Sequence, residues 1–568
     1  MRPLRDELTL RLAESLMAVG LDPSSAAVAP TNDSRFGDYQ SNTAMALAKV
    51  ARANPREIAG RIINCFPSDG LCEPPTIAGA GFINFRLVAP ALEASLASMA
   101  ADDRLGVPAA SKPLRILLDF SSPNVAKPMH IGHIRSTILG DCLARVARFL
   151  GHSVITDNHI GDWGTQFGKV IYGWKHLLDP TRLENHPIAE LVRLYREVNA
   201  MESGNPDIQN AVRRELVKLQ SGDPENLSIW KRCVELSLVE FERIYNLLDI
   251  SFDEQLGESF YNNALGPLCD ELEASGLARL SEGALCIFFS ENSDLANNPA
   301  IIRKSDGGFL YATTDLATIR YRIQRWQPDE IWYVVGAPQA LHFRQIFEAI
   351  RMMGITVNLR HIAFGSILGE DRKIMKTRSG DNIGLSDVLE EALDRAGAIV
   401  ESKNPELSVE EKKLIAESVG LGAVKYAELS QHRMTDYVFS WDKMLAFQGN
   451  TAPYLQNACV RIHSIFRKAG TDFSSGAVHL GDPTERALAI HLLRYAEAVP
   501  SVLEDYRPNL LSNYLYELAE TFHSFYEACP VLQASSDIRS SRLGLCKLTL
   551  RILTHGLSLM GIRVPERM

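Results

Sequence analysis

The sequence has no run of about twenty apolar residues, so no membrane-spanning helix is expected. It contains nine cysteines but no CxxC pair, which argues against a structural zinc site of the usual spacing. The amino-terminal segment lacks the apolar core of a signal peptide and the acid-poor composition of a transit peptide. An odd number of cysteines in a long chain is typical of reduced thiols. We therefore expect a cytoplasmic protein with no membrane contact.

A basic excess is also absent, since the net charge is −10. This disfavours non-specific binding to nucleic acid, because phosphate contacts need Lys and Arg. Net charge averages over the whole molecule, however, and a local basic surface is compatible with it. The 568 residues, 46% hydrophobic and 23% charged, are typical of a globular protein with several domains. The chain carries no internal repeat and no low-complexity tract.

Three regions with different patterns follow one another along the chain. The first mixes helix-like segments with a strand-like stretch, and the last is almost entirely helical. In the middle, strands alternate with helices, which is typical of a parallel sheet. The expected strands there are 114–120, 153–158, 284–289, 330–336 and 361–367. We predict a small α+β domain at 1–105, a Rossmann-like α/β domain at 106–445 with a helical insertion at about 175–260 and a helical stem, and an α-helical domain at 446–568.

The segment SPNVAKPMHIGH (122–133) follows a predicted strand and opens a predicted helix. A helix N-terminus favours phosphate, because it presents unpaired N–H groups and a partial positive charge. Gly132 has no Cβ and allows close approach of a nucleotide, while His130 and His133 can donate hydrogen bonds to phosphate oxygens. An HxxH pattern alone would equally describe two surface histidines. The strand–turn–helix context favours nucleotide binding.

A second segment, KIMKTRSG (373–380), places Lys373, Lys376 and Arg378 close together after the last predicted strand. A cationic loop suits a pyrophosphate leaving group. Taken alone, the loop would equally be a solvated basic surface. Its position after the sheet favours the functional interpretation.

Together these motifs resemble class I aminoacyl-tRNA synthetases, and more narrowly arginyl-tRNA synthetases. The resemblance spans the chain in the family's order. It is carried by RFGDYQSN (35–42), GAGFINF (79–85), SSPNVAKPMHIGHIRSTILGD (121–141), NHIGDWGTQFG (158–168), DGGFLYATTDLA (306–317), MKTRSGD (375–381), GNTAPYLQNACVRI (449–462) and GLSLMGIRVPERM (556–568).

The resemblance implies an arginine–tRNA ligase that uses ATP with Mg²⁺, L-arginine and tRNA(Arg), acts as a monomer and carries an anticodon-binding helical domain. It also implies that adenylation can depend on tRNA. The basic loop lacks the first lysine of the usual KMSKS pattern and has arginine for the second. In the family a lysine before HIGH compensates, and Lys127 matches it. The expected ATP-binding residues are Lys127, His130, Gly132, His133, Lys376 and Arg378, all of them catalytic except Gly132.

An arginine pocket needs carboxylates and other acceptors, because guanidinium offers five donors and a fixed positive charge. Asp315 is expected to pair with the guanidinium, with Tyr311 and Gln339 orienting it. Asn124 and Asp119 would hold the α-amino end. These residues match the family's arginine-binding positions. The complete expected set is Asp119, Asn124, His159, Tyr311, Asp315 and Gln339.

Each assignment has a plainer alternative. Asp315 could be a helix cap, Tyr311 a core aromatic residue and Asp119 a hydrogen-bonded turn acid. In the NHIGDWGTQFG segment, His159, Asp162 and Gln166 are candidates to line the same cavity, and Trp163 is expected to pack instead.

Candidate tRNA contacts lie in the two outer regions. Aromatic and amide side chains can stack on or read unpaired bases. Core packing explains Tyr454 equally well. The candidates are Asn84, Tyr454, Gln456, Asn457 and Arg461.

Three other functions are weighed against this one. A cysteine-specific synthetase would need a zinc site, for which no cysteine cluster exists. A non-catalytic RNA-binding relative would be expected to have lost HIGH or Asp315. A small-molecule nucleotidyltransferase would not need two flanking domains.

Overall fold

The computed structural model describes residues 2–31, 33–369, 371–373, 383–470 and 477–568. They form two compact units. One comprises Met1–Ala110, Val400–Gly422 and Leu445–Met568, and the other comprises Ser111–Ile399 and Ala423–Met444. Among the residues described, none of the helices combines the length and the apolar character needed to cross a membrane.

The amino-terminal region is an antiparallel sheet packed with helices, as the α+β prediction requires. Its sheet has the order β1-β2-β4-β3. Apolar side chains such as Leu8, Leu12 and Ile62 fill the space beneath the sheet and are fully buried. The elements are α1 Leu4–Ala18, β1 Ala29–Pro30, β2 Tyr39–Ser41, α2 Thr43–Ala51, α3 Pro55–Asn64, β3 Thr76–Ala78, β4 Phe82–Phe85 and α4 Ala89–Ala101, with short 3₁₀ turns at Pro23–Ser25 and Ser34–Phe36.

The middle of the chain alternates strands and helices. In order these are β5 Arg115–Asp119, α5 Ile131–Phe149, β6 Ser153–Asp157, α6 Gln166–Leu177, α7 Pro180–Asn185, α8 Pro187–Glu202, α9 Pro206–Gln220, α10 Pro224–Leu247, α11 Asn262–Ala274, β7 Ala278–Ser281, β8 Ala284–Ile287, β9 Ala300–Arg303, α12 Tyr311–Trp326, β10 Glu330–Tyr333, α13 Ala340–Met352, β11 Asn358–His361, β12 Ile367–Leu368, α14 Leu385–Lys403, α15 Val409–Leu429, β13 Tyr437–Val438 and α16 Trp441–Met444, with 3₁₀ turns at Glu258–Tyr261 and Ala337–Gln339.

The predicted parallel sheet is present in the order β11-β10-β5-β6. Two strand predictions were wrong, the first in its pairing partner and the second in its extent. Residues 284–289 contribute β8 to a separate antiparallel sheet, β7-β8-β9, because a run of strand-like residues does not reveal which strand it pairs with. The run 361–367 is not one strand: β11 ends at its first residue, and β12 at its end pairs with β13.

Capping chemistry divides the helical insertion into its helices. Asn205 accepts hydrogen bonds from the backbone at the start of α9, and Asp223 does the same for α10. A proline occupies the next position in each case, where its missing N–H costs nothing. The segments Gly204-Asn205-Pro206 and Gly222-Asp223-Pro224 are therefore helix boundaries.

The carboxy-terminal region is helical, as predicted: α17 Ala452–Ala469, α18 Pro483–Leu493, α19 Tyr495–Glu504, α20 Pro508–Ala528 and α21 Ser536–Leu559. It packs against the amino-terminal region within one unit. Arg486 donates to both oxygens of the buried Asp38 at 2.8 and 2.7 Å, and Tyr39 donates to Glu497 at 2.7 Å. The RFGDYQSN motif thus joins the two ends of the chain.

Close packing of α5 on the segment after β5 gives a stability prediction. A Cβ added to Gly140 would lie 2.2 Å from the Phe120 ring, which is buried. We expect Gly140→Ala to lower the free energy of unfolding by about 1–3 kcal/mol through overpacking. Urea unfolding followed by circular dichroism measures the change. Gly60→Ala is the control, because that helical position is open and alanine should stabilise it by up to about 1 kcal/mol. Equal shifts for the two variants would contradict the packing argument.

Candidate functional site

The carboxyl ends of the parallel strands bring polar side chains to one edge of the sheet. Asp119 ends β5, and the strand register pairs it with Asp157 of β6 and Tyr333 of β10. The segment that follows β5 runs through HIGH into α5. The candidate residues of that segment therefore begin at the edge where α/β sheets generally bind ligands.

A buried guanidinium of the chain itself occupies this edge. Arg322 of α12 is fully buried and donates to Asp119 at 2.6 Å and to Asp157 at 2.8 Å. Its other contact is the Tyr333 hydroxyl at 3.2 Å. The second oxygen of Asp119 accepts from the Ser122 hydroxyl at 3.0 Å. Asp119 is therefore a hydrogen-bonded acid, which was the plainer alternative given for it.

The turn between β5 and α5 has an unusual backbone. Ser121, Ser122 and Ala126 have positive φ angles of 72°, 48° and 60°, which side-chain-bearing residues rarely adopt. Strain of this kind persists where the surroundings hold it in place, often at functional sites. Here Asn124 forms a backbone bridge with Gly161. A Cβ on Gly161 would lie 2.2 Å from the Asn124 side-chain oxygen, so this glycine permits the close approach.

The two HIGH histidines cap α5 and are fixed by backbone donors. The Gly132 N–H donates to His130 Nδ1 at 3.1 Å, and the His130 N–H donates to His133 Nδ1 at 3.0 Å. Burial, and then the charge of Lys127, lowers the pKa of His130. Burial lowers the pKa of His133 to about 3. Both imidazoles are therefore neutral at pH 7. Because each Nδ1 accepts, each Nε2 carries the proton and is a donor.

The His130 side chain leaves little room for a Cβ at Gly132. A Cβ at this position would lie 2.8 Å from the His130 ring. The glycine was predicted to admit a nucleotide. In the structure its immediate neighbour is the capping imidazole.

The segment that follows the basic loop is hydrogen-bonded to the HIGH turn. Ile131 donates to the Ile383 carbonyl at 3.0 Å, and Leu385 donates to the Met129 carbonyl at 2.8 Å. At the other end, Gly369 donates to the Lys373 carbonyl at 2.8 Å. Lys376 and Arg378, the predicted phosphate-binding residues, lie outside the described residues.

Two acidic side chains, Asp315 and Glu258, lie near each other by the start of α12, and we call this group the acidic pocket. Tyr311 is the first residue of α12 and Asp315 lies one turn later, so the predicted helical spacing is confirmed. Asp315 accepts a hydrogen bond from His342 Nε2 on α13. The side chain of Glu258 adds a second carboxylate. Burial, followed by the charges of Asp315 and Asp162, raises the pKa of Glu258 to about 8.

This pocket differs from the inner edge in its charge balance. Arg322 offsets Asp119 and Asp157, whereas no ion pair to Glu258 occurs within the described ranges. Tyr311 is 69% exposed, and burial and then Glu258 raise its pKa. It is therefore not a core aromatic residue. The pocket has excess negative charge and an exposed aromatic side chain at its rim, a combination suited to a cation.

The NHIGDWGTQFG segment has mixed roles. His159 Nδ1 lies 3.0 Å from the Leu256 carbonyl. Asp162 is buried and accepts from the backbone and hydroxyl of Ser259 at 2.8 and 2.6 Å. It therefore holds the turn that presents Glu258. Trp163 packs edge-on against Trp230, as expected of a packing residue.

Two candidates lie nearer the surface. Gln339 ends the 3₁₀ turn before α13 and is exposed. Gln166 begins α6 and is half-buried. Lys127 is also exposed, with its ammonium 5.6 Å from the centre of the Tyr195 ring.

Two candidate tRNA contacts are corrected by the structure. Gln456 is fully buried, and its amide nitrogen donates to the backbone carbonyls of Ser418 and Arg563 at 2.9 and 2.8 Å. Asn84 is buried within β4, paired with Gln40 in the neighbouring strand. Polarity alone suggested exposure, but tertiary packing covers both side chains.

The other three candidates are accessible and lie on α17. Tyr454 is half-buried, 5.5 Å from the Tyr516 ring centre. Arg461 lies 2.6 Å from His523 Nε2 and 5.7 Å from the centre of the Tyr526 ring. Asn457 and Arg461 line a groove of about 610 Å³ that also contains Arg467, Lys468, Tyr526 and Gln533.

Several site residues were missed by sequence reasoning. Glu258 lies outside every recognised motif, and its role depends on a turn held by Asp162. Arg322 follows Asp315 by two helical turns, so an arginine on the buried face of α12 was a usable signal. Asp157 was detectable too, since it ends a predicted strand as Asp119 does.

Comparison with known proteins gives a consistent result. Family models match in three segments: the arginyl tRNA synthetase N-terminal domain at 6–87, the class I tRNA synthetase (R) catalytic domain at 95–441 and the DALR anticodon-binding domain at 455–568. Arginine–tRNA ligases from Cyanothece sp. and Thermobifida fusca are each 45% identical, with 99% and 98% of both chains covered respectively.

A solved structure agrees with the sequence relatives. The arginyl-tRNA synthetase of Plasmodium falciparum has a TM-score of 0.86 at 30% identity, with 100% of both chains covered. The multidomain fold predicted from the sequence is confirmed. The chain therefore belongs to the arginine–tRNA ligases, class I aminoacyl-tRNA synthetases that use ATP to join L-arginine to tRNA.

Proposed function

We propose that Asp315 and Glu258 hold the guanidinium of the arginine substrate. The observation that carries this is the proximity of Glu258 to Asp315 near the start of α12, where burial, followed by the charges of Asp315 and Asp162, raises the pKa of Glu258 to about 8. A guanidinium is planar and always charged, and it can donate to two carboxylates at once. His342 orients Asp315 by its hydrogen bond. Tyr311 and Gln339 flank the side chain, and His159 borders the pocket.

The α-amino end of the substrate goes to Asn124 and Asp119. Asn124 projects from the strained turn over Gly161. Asp119 already accepts from Arg322 and Ser122, but a carboxylate has capacity for further bonds. The inner edge, where one guanidinium is shared by two carboxylates, keeps one negative charge for the smaller ammonium, and the outer carboxylates take the guanidinium.

ATP is proposed to lie over the N-terminus of α5. His130 and His133 donate to phosphate oxygens through Nε2, and Lys127, Lys376 and Arg378 add positive charge. Mg²⁺ arrives with the ATP, since this ion is commonly held by substrate phosphates. The arginine carboxylate attacks the α-phosphorus in line and releases pyrophosphate. A ribose hydroxyl at the tRNA 3′ end then attacks the carbonyl carbon of the adenylate, which forms the ester and releases AMP. Catalysis is positioning and charge stabilisation, with no protein nucleophile.

The remaining parts of the proposal concern tRNA and the cellular setting. The basic groove on α17 is the proposed tRNA contact, through Arg461, Asn457 and Tyr454. We also propose a cytoplasmic monomer. The nine unpaired cysteines support the reducing compartment, and the family resemblance supports the monomer.

A substitution of Asp315 tests the proposed guanidinium contact. Asp315→Asn should raise KM for arginine by roughly 10- to 150-fold, because a charged hydrogen bond is lost, while KM for ATP changes little. Pyrophosphate exchange in the presence of tRNA measures both constants. Asp306→Asn is the matched control, an exposed acid in the preceding turn whose side chain accepts a hydrogen bond from the Gly308 N–H. Equal losses for arginine and ATP would refute the assignment.

The second prediction concerns pH. With a pKa of about 8, Glu258 is mostly protonated at pH 7 and must release its proton to pair with guanidinium. Arginine affinity should therefore rise with pH, by up to about tenfold per unit, and level off above pH 8. Calorimetry in buffers of different ionisation enthalpy should show proton release on binding.

The controls separate Glu258 from its neighbour. Glu258→Gln should abolish the proton release and flatten the pH dependence, whereas His342→Gln should retain both. Proton release that persists in Glu258→Gln would assign the titration to another group.

The third prediction concerns the groove on α17. Arg461→Met should weaken tRNA binding several-fold and reduce the slope of log affinity against log salt by roughly 0.9, as expected for one lost phosphate contact. Nitrocellulose filter binding across a salt series measures this. Lys547→Met removes the same charge from an exposed site that does not line the groove. An identical effect of the two substitutions would place tRNA elsewhere.

A further inference from the structure

Lys127 and a tyrosine of the helical insertion are in contact. The Lys127 ammonium lies 5.6 Å from the centre of the Tyr195 ring on α8. This is within the range in which a cation is attracted to an aromatic face. The charge of Lys127 also contributes to lowering the pKa of His130, so the ammonium lies near the HIGH turn as well.

A second lysine touches the same ring but is held differently. Lys169 of α6 also lies 5.6 Å from the centre of the Tyr195 ring. Its ammonium pairs with Glu202 at 2.7 Å and bonds Asn199 at 2.6 Å. Lys127 has no ion pair within the described ranges. The contact identified there for its ammonium is the Tyr195 ring. The two lysines are therefore not equivalent: Lys169 is fixed by a carboxylate, and Lys127 by the aromatic ring.

The insertion also fixes the backbone next to Lys127. The Ala126 N–H, in its left-handed conformation, donates to the buried Ser237 hydroxyl of α10 at 3.0 Å. The Tyr245 hydroxyl, two turns further along α10, lies 2.8 Å from the Ser121 hydroxyl. The strained turn is thus supported along its length by the insertion, and Tyr195 extends that support to the lysine side chain.

We propose that Tyr195 is a positioning residue that holds the Lys127 ammonium beside the HIGH turn for the ATP phosphates. The inference rests on the phosphate-binding role proposed for Lys127. A free lysine side chain samples many rotamers, and this freedom is lost when it binds. The ring restricts the ammonium before ATP arrives, and so reduces that loss. The contact requires the aromatic face and not the hydroxyl group.

Substitutions at Tyr195 separate positioning from packing. Tyr195→Leu should lower kcat/KM for ATP by roughly two- to fivefold, the range expected for a cation–π contact at an accessible site. Tyr195→Phe keeps the face and should remain within about 1.5-fold of the parent. The assay is pyrophosphate exchange with tRNA and saturating arginine. Calorimetric arginine binding checks that the pocket is intact in each variant.

A double-mutant cycle with Lys127 tests whether Tyr195 acts through that lysine. In a Lys127→Met background, Tyr195→Leu should have no further effect, since the partner is gone. In a Lys169→Met background its effect should persist. Tyr172→Leu is a matched control on α6, where the ring contacts His176 instead. It should leave kcat/KM for ATP unchanged.

The outcomes distinguish this inference from the function on which it rests. If Lys127→Met itself has no effect, the phosphate role of Lys127 is wrong and the inference fails with it. If Lys127→Met is impaired but Tyr195→Leu is not, only the positioning role fails. Equal effects of Tyr195→Leu with and without Lys127, or a loss in Tyr195→Phe, would likewise overturn it.

Discussion

The site depends on the buried contacts of Arg322 with Asp119 and Asp157. Two carboxylates at adjacent strand ends would repel each other in a buried setting, and removing one partner of such a cluster is strongly destabilising. Arg322 satisfies both and ties α12 to the sheet. Because Tyr311 and Asp315 lie in the first turns of α12, the same ion cluster fixes where the proposed arginine pocket lies relative to the HIGH turn.

The distribution of charge explains how the proposed pocket would bind a cationic side chain at the outer carboxylates and not at the inner edge. The inner carboxylates already have a guanidinium, while burial, followed by the charges of Asp315 and Asp162, raises the pKa of Glu258. In the proposed pocket, a bound guanidinium would favour the ionised form of Glu258. A neutral side chain of similar size would leave Glu258 protonated, so the proposed pocket would discriminate by charge as well as by shape.

Sequence reasoning recovered the parts of this arrangement that are local. The strand, turn and helix around HIGH, and the helical spacing of Tyr311 and Asp315, follow from short-range patterns. Sequence reasoning failed for residues whose contacts lie far away in the sequence. Glu258 depends on a turn held by Asp162 nearly a hundred residues earlier, and the strand at 284–289 belongs to a different sheet. The buried Gln456 shows the same limit, because its bonds go to Ser418 and Arg563.

The helical insertion shows why the signature turn cannot be understood from its own sequence. Three residues of that turn have positive φ, and nothing in their side chains favours such angles. The turn is held in place by hydrogen bonds between Ala126 and Ser237 and between Ser121 and Tyr245 of α10. A segment outside the sheet thus stabilises the strained backbone that presents Asn124, Lys127 and the two histidines. The conformation of the HIGH turn is therefore a property of the insertion as much as of the motif.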